Sequence, residues 1–187
     1  HFDRVRALGI GPTYQRLLHI GPGTYSEVKA VREVFAPISH TVMTLSADEV
    51  GPIREAGFEC ELGDMHDAPF ENGSFDLIFS NNVLEHAIAP HMALLEHRRM
   101  LAPGGYFYAI VPTFETPGGV YTPWHVYCFN EPTWRELFRK AGFAIDRFVT
   151  VTETLPGGGR ESYFHIRAQA VDPPTPHDEI LRRISEL

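Results

Sequence analysis

The chain has 187 residues, 43% of them hydrophobic and 21% charged, the make-up of one ordinary globular domain rather than a disordered, collagenous or membrane protein. Lys plus Arg number 16 against 24 Asp plus Glu, and the resulting net charge of -8 repels phosphate backbones and anionic lipid surfaces, so neither nucleic acid nor membrane is an expected partner. Cys60 and Cys128 form no CxxC pair, no apolar run nears the roughly 18 residues of a membrane span, and the N-terminus lacks a signal-like apolar stretch, which together read as a cytoplasmic protein.

Short apolar runs alternate with segments of helical period, the pattern of a parallel sheet with crossover helices. A strand Arg16 to Ile20 leads through the turn Gly21-Pro22-Gly23 to a helix Ser26 to Phe35, with Thr24 and Glu27 spaced as a capping box. A strand Thr41 to Leu45 follows, then Ser46 and Glu49 as a second capping box and a helix ending near Gly57. A short strand Glu59 to Leu62 precedes a turn-rich stretch, and Phe75 to Ser80 is apolar enough for a buried strand. The helix His91 to Leu101 stops at Pro103-Gly104-Gly105, and the strand Tyr106 to Val111 opens into Pro112 to Asn130, too long for an ordinary connection and therefore a candidate functional loop. After a helix Pro132 to Ala141, strands Ala144 to Thr152 and Glu161 to Ala170 flank a glycine-rich turn and read as an antiparallel hairpin. The expected domain is 1–171. Residues 172–187 read as a Pro-rich linker and an amphipathic helix with Ile180, Leu181, Ile184 and Leu187 on one face, suited to packing or to a homodimer contact.

A glycine turn after the first strand of an α/β sheet lets a ligand approach the backbone, at the carboxyl ends of the strands. The segments downstream say which ligand. Gly63-Asp64-Met65 through Pro69-Phe70 and Gly73-Ser74-Phe75-Asp76-Leu77-Ile78 resembles the "GD…LPF..gsFDlv" signature of class I S-adenosylmethionine-dependent methyltransferases. Val83-Leu84-Glu85-His86, Ala93-Leu94-Leu95-Glu96, Arg99 and Leu101-Ala102-Pro103-Gly104-Gly105 resemble the stretch that follows in the same family, and Trp134 to Phe143 its late helix.

The resemblance implies a Rossmann-like class I fold, a mostly parallel sheet of six or seven strands ending in an antiparallel hairpin. It also implies S-adenosylmethionine as cofactor, with the backbone of Gly21 and Gly23 facing its methionine part, Asp64 accepting from the adenine amino group, Met65 packing on the ring, and Asn81 near the methionine portion. At three further cofactor positions this sequence departs from the family. His19 stands for the acidic residue two before the first glycine, Tyr25 for the third glycine, and Thr44 for the carboxylate that ends the second strand and holds the ribose hydroxyls. Glu49 or Asp48 could stand in for that carboxylate.

Methyl transfer from a sulfonium is an in-line displacement, so the protein has to align a nucleophile and remove its proton. His125, in the aromatic loop, and His86, after the fourth strand, are the candidate catalytic bases. No metal is expected from Asp64, His66, Asp67, His86 and His91, because His86 and His91 are five apart with Pro90 between them and share no helix face. The expected function is methyl transfer to an oxygen or nitrogen atom of a small metabolite. The alternative is a binding or regulatory module of the same fold whose cofactor site has decayed. A nicotinamide-dependent dehydrogenase is set aside, since Ser26 occupies the third position of G-x-G-x-x-G and Thr44 that of the ribose carboxylate.

Overall fold

The computed structural model describes residues 14–114, 124–154 and 157–171; the expected C-terminal helix and the centre of the long loop lie outside them. Seven strands form one sheet: β1 (Arg16–Ile20), β2 (Ser39–Thr44), β3 (Glu59–Leu62), β4 (Phe75–Asn81), β5 (Leu101–Pro112), β6 (Phe143–Thr154) and β7 (Arg160–Ala170). Their order is β3-β2-β1-β4-β5-β7-β6, with β7 antiparallel to both β5 and β6 and every other pair parallel. The order reverses at β1, the position at which an open α/β sheet leaves a crevice beyond its carboxyl ends.

Neighbouring residues of each central strand serve opposite faces. Leu18, Ile78, Phe107 and Ala109 join a cluster with Leu94, Trp134 and Phe138 from the helices α3 (Pro90–Met100) and α4 (Glu131–Lys140). Leu17, Leu77, Phe79 and Tyr108 face the other way, onto Val31 and Phe35 of α1 (Tyr25–Phe35). Val28 of the same helix packs with Val42 and with Ile53 of α2 (Ala47–Glu55). Both faces being covered, the strands carry nearly continuous apolar runs rather than alternation.

The elements match the sequence expectation within a residue or two except at β5. Pro103-Gly104-Gly105 lies inside that strand, not before it. Leu101 already pairs with Phe75, and the register then shifts so that Tyr106 pairs with Leu77. Gly104, at φ +74, carries the backbone through this bulge. Among the described residues no helix is long and apolar enough to cross a membrane.

Candidate active site

A cavity of about 280 Å³ opens at the carboxyl ends of β1, β2 and β4. Gly21, Met43, Thr44, Glu49, Met65 and His86 are among its walls. Gly21 takes φ +62, and a Cβ there would stand 2.8 Å from Cγ2 of Val83, so the turn has no room for a side chain. Gly63 is equally constrained, since its Cβ would lie 2.7 Å from Cδ of Pro69.

Each departure from the family pattern has a partner. Thr44 is buried and donates from Oγ1 to Oε2 of Glu49 at 2.5 Å, while the same oxygen accepts from the backbone N–H of Ser46 at 3.1 Å. The Ser46 and Glu49 pair is therefore no capping box. Ser46 makes no side-chain cap hydrogen bond, and the glutamate turns back to the strand end. Helix α1 behaves similarly. Thr24 accepts from the backbone N–H of Glu27, as a cap should, but the Glu27 carboxylate accepts from the backbone N–H of Gly23 at 3.3 Å and from Nδ2 of Asn81 at 3.3 Å. Its Oε1 also lies 3.4 Å from Nε2 of the fully buried His19. His19 itself stacks on His40 and meets the edge of Phe79.

The other sequence candidates divide. Gly21, Thr44, Met65 and His86 line the cavity. Asn81 is one residue removed, with Asn82 in the wall and the buried Oδ1 of Asn81 without a hydrogen-bond partner among the described residues. Gly23 touches the site through Glu27. Asp64 does not line the cavity. Its Oδ1 accepts from the backbone N–H of His66 at 2.8 Å and meets the ring Nδ1 of His66 at 2.6 Å, and that backbone bond, aided by the ring, holds the carboxyl below the usual range. Tyr25 does not cover the cavity either; its ring packs edge-on to Phe58, with the Lys29 ammonium over it.

At the far rim, His86 and His125 come together from positions 39 apart in the chain, their ring centroids separated by 4.9 Å. Nδ1 of His86 is 2.8 Å from the carbonyl oxygen of Trp124, and Nε2 of His125 is 3.9 Å from Oε1 of Glu85. Glu85 is the residue that sequence reasoning missed. It is 1% exposed, neither carboxylate oxygen has a hydrogen-bond partner among the described residues, and burial pushes its carboxyl up to about 8. Its backbone carbonyl accepts from Val126 and Tyr127, which fastens the end of the aromatic loop to the turn Leu84–His86.

The sequence profile of the methyltransferase domain matches residues 18–109, a span that holds the cavity and both glycine turns. This chain belongs to the class I S-adenosylmethionine-dependent methyltransferases. S-adenosylmethionine is the cofactor of that family.

Among curated proteins, an uncharacterized 37.1 kDa transposon protein of Streptomyces fradiae is 34% identical over 96 residues, covering 47% of this chain and 27% of its own length. A fatty-acid O-methyltransferase of Mycolicibacterium smegmatis is 32% identical over 99 residues, covering 50% of this chain and 35% of its own. The chain thus spans about a third or less of these relatives. Among solved structures, a Haloferax volcanii methyltransferase, in complex with the activator Trm112, superposes with a TM-score of 0.76 at 20% identity, over 91% of this chain and 89% of that one, a likeness of fold.

The residues present suit S-adenosylmethionine. The glycine cradle at Gly21, the carboxylate of Glu49 at the end of β2, the thioether of Met65 and the unpartnered Oδ1 of Asn81 offer close backbone approach, hydroxyl acceptors, an apolar wall and one spare acceptor.

Proposed function

We propose that this methyltransferase acts on an oxygen or nitrogen atom of a small metabolite and that its cofactor site is functional. The observation that carries the reading is the pair of relocated carboxylates. Glu49 stands beside Thr44, and Glu27 beside His19, so each strand position that lacks the family's acid has a glutamate from the next helix within 3.4 Å. Glu49 then accepts from the ribose hydroxyls. Gly21, Gly23 and Asn81, with Glu27, face the methionine end, and Met65 lies against the adenine, while Asp64 is turned to His66 outside the cavity.

When bound, the cofactor supplies an electrophilic methyl group on a positively charged sulfur. The chain's own residues have to orient the acceptor atom and take its proton. His86 lines the cavity and His125 packs against its ring, beside the described part of the aromatic loop, where Trp124 is 73% exposed and Tyr127 stacks on Phe129. His125 is the base of first choice. Apolar bodies with polar tips suit a partly aromatic or aliphatic metabolite, and the name of the Mycolicibacterium smegmatis relative, a fatty-acid O-methyltransferase, supports oxygen as the acceptor. The net charge of -8 supports a substrate other than nucleic acid.

Calorimetric titration with S-adenosylmethionine and S-adenosylhomocysteine tests the reading. One equivalent should bind. Absence of binding up to millimolar ligand would favour the binding-module alternative.

A further inference from the structure

We propose that Glu85, His86 and His125 form a site for one divalent transition-metal ion at the rim of the cofactor cavity. The inference rests on the reading of that rim as the reacting end, and it goes beyond it by naming what the rim holds. One oxygen of Glu85 and one nitrogen from each imidazole lie within 4.8 Å of one another. Bonds of about 2.0–2.2 Å to a tetrahedral ion put ligand atoms roughly 3.4 Å apart, so side-chain shifts of about 1 Å would close the set.

Two observations point to a ligand rather than to a chance cluster. The first is Glu85 itself. Among the described residues this carboxyl, 1% exposed, has neither oxygen hydrogen-bonded; Nε2 of His125 faces Oε1 at 3.9 Å, beyond hydrogen-bond reach, and a cation seated between the carboxylate and the imidazoles would satisfy all three groups. The second is the ring orientation of His86. Its Nδ1 lies 2.8 Å from the backbone carbonyl of Trp124, which fixes that nitrogen as the N–H donor and leaves Nε2 with its lone pair. Histidines that bind metals are held in this way, the outer nitrogen donating to a carbonyl or carboxylate.

The donor set decides the ion. Two imidazoles and one carboxylate suit first-row ions such as Zn²⁺ and Co²⁺, whereas Mg²⁺ and Ca²⁺ prefer oxygen ligands throughout. Three protein ligands leave at least one position open, and His86 lines the cavity, so the open position borders the cofactor. A substrate hydroxyl bound there is acidified by the ion. Its O–H bond breaks with the proton passing to solvent, the oxygen lone pair forms the bond to the methyl carbon, and the carbon–sulfur pair returns to sulfur, leaving a neutral thioether. Nothing is oxidised or reduced. The set also differs from the acidic and histidine residues of the Asp64 to His91 segment considered from sequence. His66 of that group is engaged with Asp64, and the ligand from the far side, His125, comes from the loop after β5.

The test uses the chelator-treated chain, titrated with Zn²⁺ by calorimetry and with Co²⁺ by visible absorption, with S-adenosylhomocysteine titrated into the same samples. One equivalent of either ion should bind at about 10 µM or tighter, with Mg²⁺ far weaker. Glu85→Gln and His125→Ala should each weaken Zn²⁺ binding at least about tenfold, while His66→Ala leaves it unchanged. His125 lies on a loop, so its variant keeps the test intact if Glu85→Gln fails to fold. No stoichiometric binding, binding that survives His125→Ala, or binding lost in His66→Ala would each overturn the proposal. Failure with retained S-adenosylhomocysteine binding removes the metal alone; loss of nucleoside binding with retained metal removes the cofactor reading instead.

Discussion

Thr44 and Glu49 share a 2.5 Å hydrogen bond in the wall of the cavity, linking the end of β2 to the first turn of α2. The threonine hydroxyl has its donor committed to the glutamate and an acceptor position committed to Ser46, so it orients the carboxylate rather than replacing it. Hydrogen bonds to a charged group contribute about 1.5–3 kcal/mol, or roughly ten- to a hundredfold in affinity. Glu49→Gln should therefore weaken S-adenosylhomocysteine binding by at least about tenfold. Thr44→Asp alone should not tighten it, because two carboxylates would meet at hydrogen-bond distance. Thr44→Asp combined with Glu49→Gln should recover most of the loss. Calorimetry on the four proteins checks this, and equal affinity in all of them would remove Glu49 from the ribose site.

Gly21 offers a sharper steric test. Alanine there has to adopt φ +62, which costs about 1–2 kcal/mol, and its Cβ would press Val83, itself part of the cavity wall. Gly21→Ala should lower both the melting temperature and the S-adenosylhomocysteine affinity. At Gly23 the added Cβ would meet only the carboxylate of Glu27, at 3.3 Å, the far end of a flexible side chain. Gly23→Ala should leave the melting temperature within a few degrees and show its effect in ligand binding, by moving Glu27. Equal thermal losses in the two variants would contradict this division.

Acid should destabilise the fold through its buried imidazoles. His97 is fully buried against Phe107 and His40 nearly so, and burial lowers each to about 3. Both are neutral when folded, whereas in the unfolded chain they take up a proton below about 6.5. The unfolded state then binds more protons, so each histidine removes up to about 1.4 kcal/mol of stability per pH unit as pH falls from about 6.5 toward 3. Above pH 7 neither contributes a slope. Chemical denaturation between pH 7.5 and 5 should show this loss, and His97→Leu should flatten it. An unchanged slope in that variant would mean that other groups dominate.

The fold was legible because its signals are local. Capping residues, glycine stops and apolar runs mark most of the described elements within their own stretch of chain; the bulge in β5 escaped, where Pro103-Gly104-Gly105 reads as a break although Leu101 is already paired with Phe75, and so did the start of α2, where Ser46 makes no side-chain cap. The site was half legible. The glycine turn, Met65 and His86 belong to contiguous motifs, and Glu49 was open as a stand-in for the missing acid. Glu27 was read only as a cap partner, since its approach to His19 and Asn81 depends on how α1 crosses the strand ends. Glu85 gave no signal apart from its motif. Its closeness to His125, with no hydrogen bond to either carboxylate oxygen among the described residues, exists only once β4 and the loop after β5 are side by side.

The two rim histidines should separate in their effects. His86 ties the turn after β4 to Trp124 through its ring, so His86→Ala breaks a contact that holds the aromatic loop and should lower thermal stability as well as turnover. His125 reaches the rim from the loop side and faces Glu85 and the ring of His86, and removing it leaves the walls around Gly21, Met43, Thr44 and Met65 untouched. His125→Ala should then reduce turnover of an identified hydroxyl substrate by at least about tenfold, at the low end of what proton removal contributes, while S-adenosylhomocysteine affinity stays within about twofold. The same outcome is expected whether His125 takes the proton itself or holds an ion that acidifies the hydroxyl, because either role acts on the reacting atom and not on cofactor binding. Turnover unchanged in His125→Ala would place the chemistry elsewhere in the cavity, and a parallel fall in cofactor affinity would make His125 a wall of the binding site.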